Sequence, residues 1–320
     1  MLKQRIITAS ILAIFVVTAI FLFDPIWFLA IFSLFILVGV WEWIEFFRVG
    51  NKLRYSLYLF NLIFILIALI IFSEQINVLE IFPLTYYLKD LLFYCLFFNI
   101  VILLVIVPAQ IILYQNRQKS LISKLSLLNL PVGIFLLWGM WSIMAVFFLM
   151  EPVYYKYELL ILFLIVWSTD IAAYFVGKKF GKHILASRIS PGKTWEGVVG
   201  GLIAGIIVTL SAVYFLREVA PSFLRITTLG IHDSFALALL TFNSKELILL
   251  SSITVIFSII GDLYVSIMKR EAGRKDSGVL FPGHGGVLDR IDSLMAASIA
   301  YYVFILMPFI LTFLIYPRYN

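Results

Sequence analysis

SSITVIFSIIGDLYVSIMKR, residues 251–270, decides the architecture of this chain. Its apolar residues run on continuously, without the alternation of a membrane-barrel strand, so the segment reads as a helix of about the length a bilayer requires. Within it Thr254, Ser258, Asp262, Ser266 and Arg270 recur at every fourth position. On a helix that spacing makes one slowly drifting polar stripe on an otherwise apolar cylinder. From Lys269 the chain runs into KREAGRKDSGVLFPGHGGVLDRID, residues 269–292, which holds nine charged residues and five of the chain's 18 glycines.

The rest of the sequence identifies the solvent around that helix. Of 320 residues 63% are hydrophobic, 17% aromatic and 13% charged, against roughly 45–50% apolar and 25% charged in soluble domains. A soluble core cannot hold so much apolar surface, whereas a bilayer can, provided each crossing satisfies its own backbone as a helix. The composition predicts an all-α integral membrane protein, one polytopic domain over 1–320. Scaffold helices are expected in 1–150 and site-bearing helices in 159–316. Cys95, the one cysteine, excludes an intrachain disulfide. The net charge of +6 is spread over short loops, as in membrane proteins with basic cytoplasmic loops, and nucleic acid is set aside as a partner. MLKQRIITASILAIFVV at the N-terminus has the start of a signal peptide, but FLFDPIWF follows where a small-residue cleavage site belongs. It is expected to remain as a first helix.

Nine apolar runs have the length of a crossing, near residues 6–23, 26–44, 56–72, 91–113, 130–149, 159–177, 197–216, 247–268 and 293–316. Asp24 and Pro25 make a tight break between the first two, and Pro108 and Pro308 are expected to kink the helices that contain them. With the N-terminus in the cytoplasm, 18 of the 24 Lys and Arg residues fall in cytoplasmic segments and 6 on the other side, the asymmetry that orients membrane proteins. Lys178, Lys179, Lys182, Arg188 and Lys193 then share a face with Lys269, Arg270, Arg274, Lys275 and Arg290. The loops 177–196 and 269–292 are thereby expected to build one cytoplasmic site.

An acid at the centre of a membrane helix costs about 2.5–3.5 kcal/mol on insertion scales. Asp262 on the eighth helix and Asp170 on the sixth therefore need a cation or a cationic partner; Asp170 heads a stripe with Tyr174 and Lys178. Asp289 and Asp292, three apart at the start of the ninth, share a face. A bland account assigns the Ser and Thr residues to helix packing and the last two acids to a helix N-terminus. Their company points instead to a divalent-metal and polyphosphate site. Mg2+ prefers hard oxygen ligands, commonly one or two carboxylates plus substrate phosphates. Lysines and arginines neutralise the remaining charge, and glycines admit backbone N–H groups. SPGKTWEG contains GKT but is no P-loop, since that motif's first glycine would fall at Ser187 and no strand is expected before it. His183, His232 and His284 have neither the spacing nor the cysteines of a zinc site.

SIMKREAGRKDSGVLFPGHGGVLDRID, residues 266–292, closely resembles the signature of the phosphatidate cytidylyltransferases, or CDP-diacylglycerol synthases. VWSTDIAAYFVGKKFGKHILASRISPGKTWEGVVGG looks like that family's middle block, and WEW at 41–43 like its N-terminal landmark. The resemblance spans the chain and is strongest from about 165 to 295. It implies a multi-spanning inner-membrane enzyme, its site facing the cytoplasm. The reaction implied is transfer of CMP from CTP to phosphatidic acid with Mg2+, releasing pyrophosphate. It also implies a homodimer among membrane lipids. On that basis Asp262 and Asp289 are expected as ligands to Mg2+ at the catalytic centre, with Asp170 and Asp292 as further ligands or as supports just behind them, and a second cation is a further expectation. Lys269 and Arg270 are expected at the reacting phosphates. Ser190, Lys193, Thr194, Lys275, Asp276, His284, Gly285, Gly286 and Arg290 are expected around the substrates. Val265 stands where many relatives carry an acid, and Ile171 where a small or hydroxylated residue is common.

The lipid phosphate is already an anionic nucleophile, so direct attack on CTP needs no protein nucleophile. His284 is the competing candidate for a covalent intermediate. The alternatives are a CTP-dependent transferase or kinase acting on another lipid, and an ion-coupled transporter, which would have no use for a long charged His-Gly-Gly loop.

Overall fold

The computed structural model describes residues 2–77, 98–116, 119–150, 155–219, 238–281 and 285–315. Its helices are α1 (Leu2–Leu22), α2 (Pro25–Ile44), α3 (Asn51–Asn77), α4 (Val107–Gln115), α5 (Lys119–Met150), α6 (Tyr155–Phe180), α7 (Trp195–Val219), α8 (Ser244–Glu271) and α9 (Leu288–Ile315), with one extra turn at Ala238–Thr241. Among the described residues seven segments are long and apolar enough to cross a membrane. They are Pro25–Ile44, Asn51–Ile70, Phe98–Gln115, Leu128–Ala145, Lys156–Phe180, Trp195–Glu218 and Ser244–Glu271. A shorter apolar helix covers Ser10–Leu22. The chain is a multi-spanning helical membrane protein. Cys95, His232 and the start of the expected fourth crossing lie outside the described residues.

The helix ends follow local chemistry. Asp24 is extended (φ −63°, ψ 150°) and Pro25 opens α2, where its missing N–H would have had no partner anyway. α8 begins at a capping box. Asn243 Oδ1 accepts from the N–H groups of Lys245 (2.9 Å) and Glu246 (3.1 Å), while Glu246 Oε2 accepts from the N–H of Asn243 (2.7 Å). Ahead of α4 a π-helical turn runs over Ile102–Ile106. Pro108 cannot donate a backbone hydrogen bond, and the wide turn lies just before it. α9 continues through Pro308.

One element departs from the all-helical expectation. Ile184–Ala186 (β1) and Ser190–Thr194 (β2) form an antiparallel hairpin, with Ile184 opposite Thr194 and Ala186 opposite Ser190. Pro191 and Gly192 are poor strand formers and conceal it in the sequence. The GKT of SPGKTWEG thus lies inside a strand that runs straight into α7, not in a phosphate loop.

α6 packs along α7, α8 packs against both α7 and α9, and α9 also meets α2, α5 and α6. Glycine permits the close approach: a Cβ at Gly200 would overlap Val176, and one at Gly205 would overlap Val255. Trp43 of α2 joins three helices. Fully buried, it donates from Nε1 to the Leu130 carbonyl of α5 (3.0 Å) and lays its ring 5.6 Å from that of Tyr264 on α8. Gly133 leaves the space it fills. The outer faces carry exposed Ile14, Leu59 and Ile203, a surface suited to lipid.

Candidate active site

The end of α8, the loop that follows it with the first turn of α9, and the β1–β2 hairpin bring charged residues together. On α8, Ser266 Oγ donates to Asp262 Oδ1 (3.2 Å), and Lys193 of β2 pairs with Asp262 Oδ2. Those two acid–base partners are 24% and 28% exposed, so water reaches Asp262. Two turns on, Lys269 Nζ stands 2.7 Å from Asp289 Oδ1 and 3.7 Å from Asp292 Oδ2. Asp170 on α6 is near enough to Asp262 and Asp292 for their charges to interact. Arg290, exposed, is near enough to Asp170 for their charges to interact.

Other expected site residues serve the framework. Arg270 donates from Nε to the Ile189 carbonyl (3.3 Å) and from Nη1 to the Arg274 carbonyl (3.2 Å), fastening the hairpin turn to α8. Thr194 Oγ1 accepts the Gly197 N–H (3.1 Å) at the start of α7. Ser190 is half-buried on β2, and Lys275 and Asp276 are exposed on the loop. Thr254 is fully buried and donates to the Leu250 carbonyl of its own helix (2.7 Å), so for it the packing account holds. Tyr174 and Lys178 serve each other, the ammonium 5.8 Å from the ring centre. Val265 is fully buried and Ile171 exposed. His284 lies outside the described residues.

Asp289 is the most heavily bonded acid of the group. Besides Lys269 on Oδ1, its Oδ2 accepts from Ser277 N (2.7 Å), Ser277 Oγ (2.9 Å) and Gly286 N (3.0 Å). It precedes the apolar run of α9. Burial alone raises an acid's pKa, but the Lys269 ammonium and the amides of Gly286 and Ser277 outweigh it and hold this carboxyl below the usual carboxylate range. The Gly286 N–H therefore serves Asp289, and Gly285 takes φ +79°, a left-handed conformation that glycine adopts without strain.

Glu42 in WEW was assigned no role from the sequence. Only 6% exposed, it accepts from Val287 N (3.0 Å) on Oε1 and from Leu288 N (2.8 Å) and Ser277 Oγ (2.7 Å) on Oε2. The signal was present: an acid inside the expected second crossing incurs the same cost that singled out Asp262.

No three acidic, histidine or cysteine side chains converge into a metal cage among the described residues. Mg2+ does not require one, because one or two carboxylates suffice when substrate phosphates complete the shell. Asp262 suits that role. Its hard oxygens already meet a cation, Lys193, remain partly open to water, and interact with Asp170 and Asp292.

Comparison with known proteins identifies the family. Residues 3–307 match the profile described as the Cytidylyltransferase family. A protein of Haemophilus influenzae named phosphatidate cytidylyltransferase is 35% identical over 301 residues, 93% of this chain and 96% of its own length. One of the same name from Pseudomonas aeruginosa is 32% identical over 93% of this chain and 94% of its own. Another from Staphylococcus aureus is 44% identical over 136 residues, 42% of this chain and 43% of its own. A chain matched almost from end to end, with its acids and lysines gathered at the ends of the helices carrying the signature, belongs to the cytidylyltransferase family.

Proposed function

We propose that the chain makes CDP-diacylglycerol from CTP and phosphatidic acid by a single in-line displacement at a site open to the cytoplasm. The observation that carries this reading is the alternation of acids and lysines, Lys193–Asp262 and Asp292–Lys269–Asp289, on three converging segments. The relatives that match nearly the whole chain are named for this reaction. One substrate is confined to the bilayer and the other to water, so the two must meet where membrane helices end.

A phosphate oxygen of the lipid attacks the α-phosphorus of CTP. A new P–O bond forms, the bond from that phosphorus to the bridging oxygen of the β-phosphate breaks, and pyrophosphate departs with the electron pair. Lys193 and Lys269 hold positive charge where two anions must approach, and Asp262 and Asp289 keep those ammonium groups in place. Lys275 and Arg290, exposed nearby, add to the field that draws in the nucleotide. Asp262, with Asp170 and Asp292, would hold Mg2+, which when bound supplies charge neutralisation at the phosphates.

Purified protein in vesicles containing phosphatidic acid is expected to convert CTP with Mg2+ to CDP-diacylglycerol and pyrophosphate, inverting a chiral α-phosphorus. Retention would replace direct transfer with a cytidylyl-enzyme. Release of CDP with a phosphorylated lipid would replace the proposed reaction with kinase chemistry.

The proposal includes nine crossings, a cytoplasmic N-terminus and an inner-membrane location, supported by the 18 to 6 distribution of basic residues. A second copy of the chain as partner rests on the family resemblance. Ser187 is exposed on the hairpin turn and Val279 is 95% exposed on the 272–287 loop. With Cys95 removed, Ser187→Cys and Val279→Cys are expected to react with a membrane-impermeant thiol reagent only from the cytoplasmic side. Labelling of the two from opposite sides would end the idea of a shared cytoplasmic site.

A further inference from the structure

We propose that Glu42 is a positioning residue for nucleotidyl transfer: from α2, in the half of the chain remote in sequence from the signature, it closes the neck of the loop that leads into Asp289 at the start of α9. The inference rests on the reading of Asp289 given above.

A helix cap needs one acceptor at one end of one segment, and Glu42 does more. Its two oxygens reach Ser277 after α8 on one side and the Val287 and Leu288 amides at the start of α9 on the other. Ser277 then passes the connection on, giving Asp289 its own N–H at 2.7 Å. The Ser277 hydroxyl lies between the two acids, 2.7 Å from Glu42 and 2.9 Å from Asp289, and its one proton serves one of them at a time.

The glycines beside the neck fit the same account. A Cβ on Gly278 or on Gly286 would run into the Glu42 carboxylate. Two glycines of the signature are therefore required by an acid more than 230 residues away. Among the described residues no lysine, arginine or histidine forms an ion pair with Glu42, so its charge is met by neutral donors and by the positive end of α9. Glu45, one turn along α2, adds an outer tie through its Oε2 to Arg274 Nη1 (3.0 Å). Leu288, which Glu42 holds by its amide, directly precedes Asp289, the partner of Lys269. Displacing the neck moves that pair without removing any group from it.

The test uses the full-length protein in phosphatidic-acid vesicles. It compares wild type, Glu42→Gln, Glu42→Asp, Ser277→Ala, the Glu42→Gln/Ser277→Ala double variant and Asp289→Asn. Glutamine keeps the shape but turns an amide donor toward N–H or O–H donors. It is expected to lower kcat by about 30-fold or more, with KM for CTP within about threefold of wild type. Ser277→Ala is expected to lower kcat by about tenfold, and the double variant to be no more than about threefold worse than Glu42→Gln, because both act through one neck. Glu42→Asp, which keeps the charge, is expected to recover part of the loss.

A Glu42→Gln enzyme with near-normal kcat beside an inactive Asp289→Asn enzyme would overturn the positioning role alone. So would losses that multiply in the double variant. Near-normal turnover in Asp289→Asn would overturn both this inference and the site assignment beneath it. Should Glu42→Gln fail to fold, Ser277→Ala decides: an unchanged kcat there overturns the proposal.

Discussion

Replacing Asp262 with asparagine is expected to lower turnover by at least about 100-fold, close to 2.7 kcal/mol of transition-state stabilisation, while the helices stay assembled. Asp262 accepts from Ser266 and pairs with Lys193, and at 24% exposure it is open to a ligand from water. The amide keeps the size of the side chain but removes the charge that holds Lys193 and that a divalent cation requires. Lys193, released, no longer has a fixed position against the approaching phosphates. The measurement is CDP-diacylglycerol formation by folded protein, with Lys52→Ala, an exposed change in the first turn of α3, as the control expected to keep full activity. Turnover within a few-fold of wild type in Asp262→Asn would remove this residue from the reaction centre.

Asp289→Asn is expected to lose activity to a similar extent, for a different reason. Asp289 takes Lys269 on one oxygen and three donors on the other. An amide has one acceptor oxygen, so its nitrogen must face either the ammonium or the backbone N–H groups of Ser277 and Gly286. Leaving such buried donors unmatched costs about 1–3 kcal/mol, more where a charge is involved. Lys269 would keep only Asp292, at 3.7 Å. The loss should appear mainly in kcat, with a drop in melting temperature of a few degrees because the defect is confined to the loop and the first turn of α9. If turnover survives while stability falls, Asp289 is a loop fastener and not part of the site.

The difference between these two acids could not be read from the sequence. Both stand out as costly charges next to glycine and basic residues, and the family resemblance implies the same metal-ligand role for both. Folding separates them: Asp262 is left partly open on α8 and Asp289 is closed into a hydrogen-bonded corner. Arg270 has the same history. The resemblance implies a place for it at the reacting phosphates, yet its guanidinium faces the carbonyls of Ile189 and Arg274. Sequence spacing reports which face of a helix a residue occupies but not which neighbouring segment covers that face.

Hydropathy and period were enough for the helices. Continuous apolar runs near the length of a bilayer, the break at Asp24 and Pro25 and the fourfold stripe on α8 are local properties. Backbone hydrogen bonding within a helix closes over a few residues, so a membrane span is determined without reference to its neighbours. The long signature from Ser266 to Asp292 was equally legible, because it is contiguous. What tertiary structure alone decided is what joins segments distant along the chain. Lys193 reaches Asp262 from a hairpin that Pro191 and Gly192 disguise, and Glu42 crosses from α2 to close the neck at Ser277 and Leu288. Each contact depends on how helices tens to hundreds of residues apart pack side by side, and that packing is set by the summed shape of buried surfaces such as Trp43 against Gly133, not by any short stretch of residues.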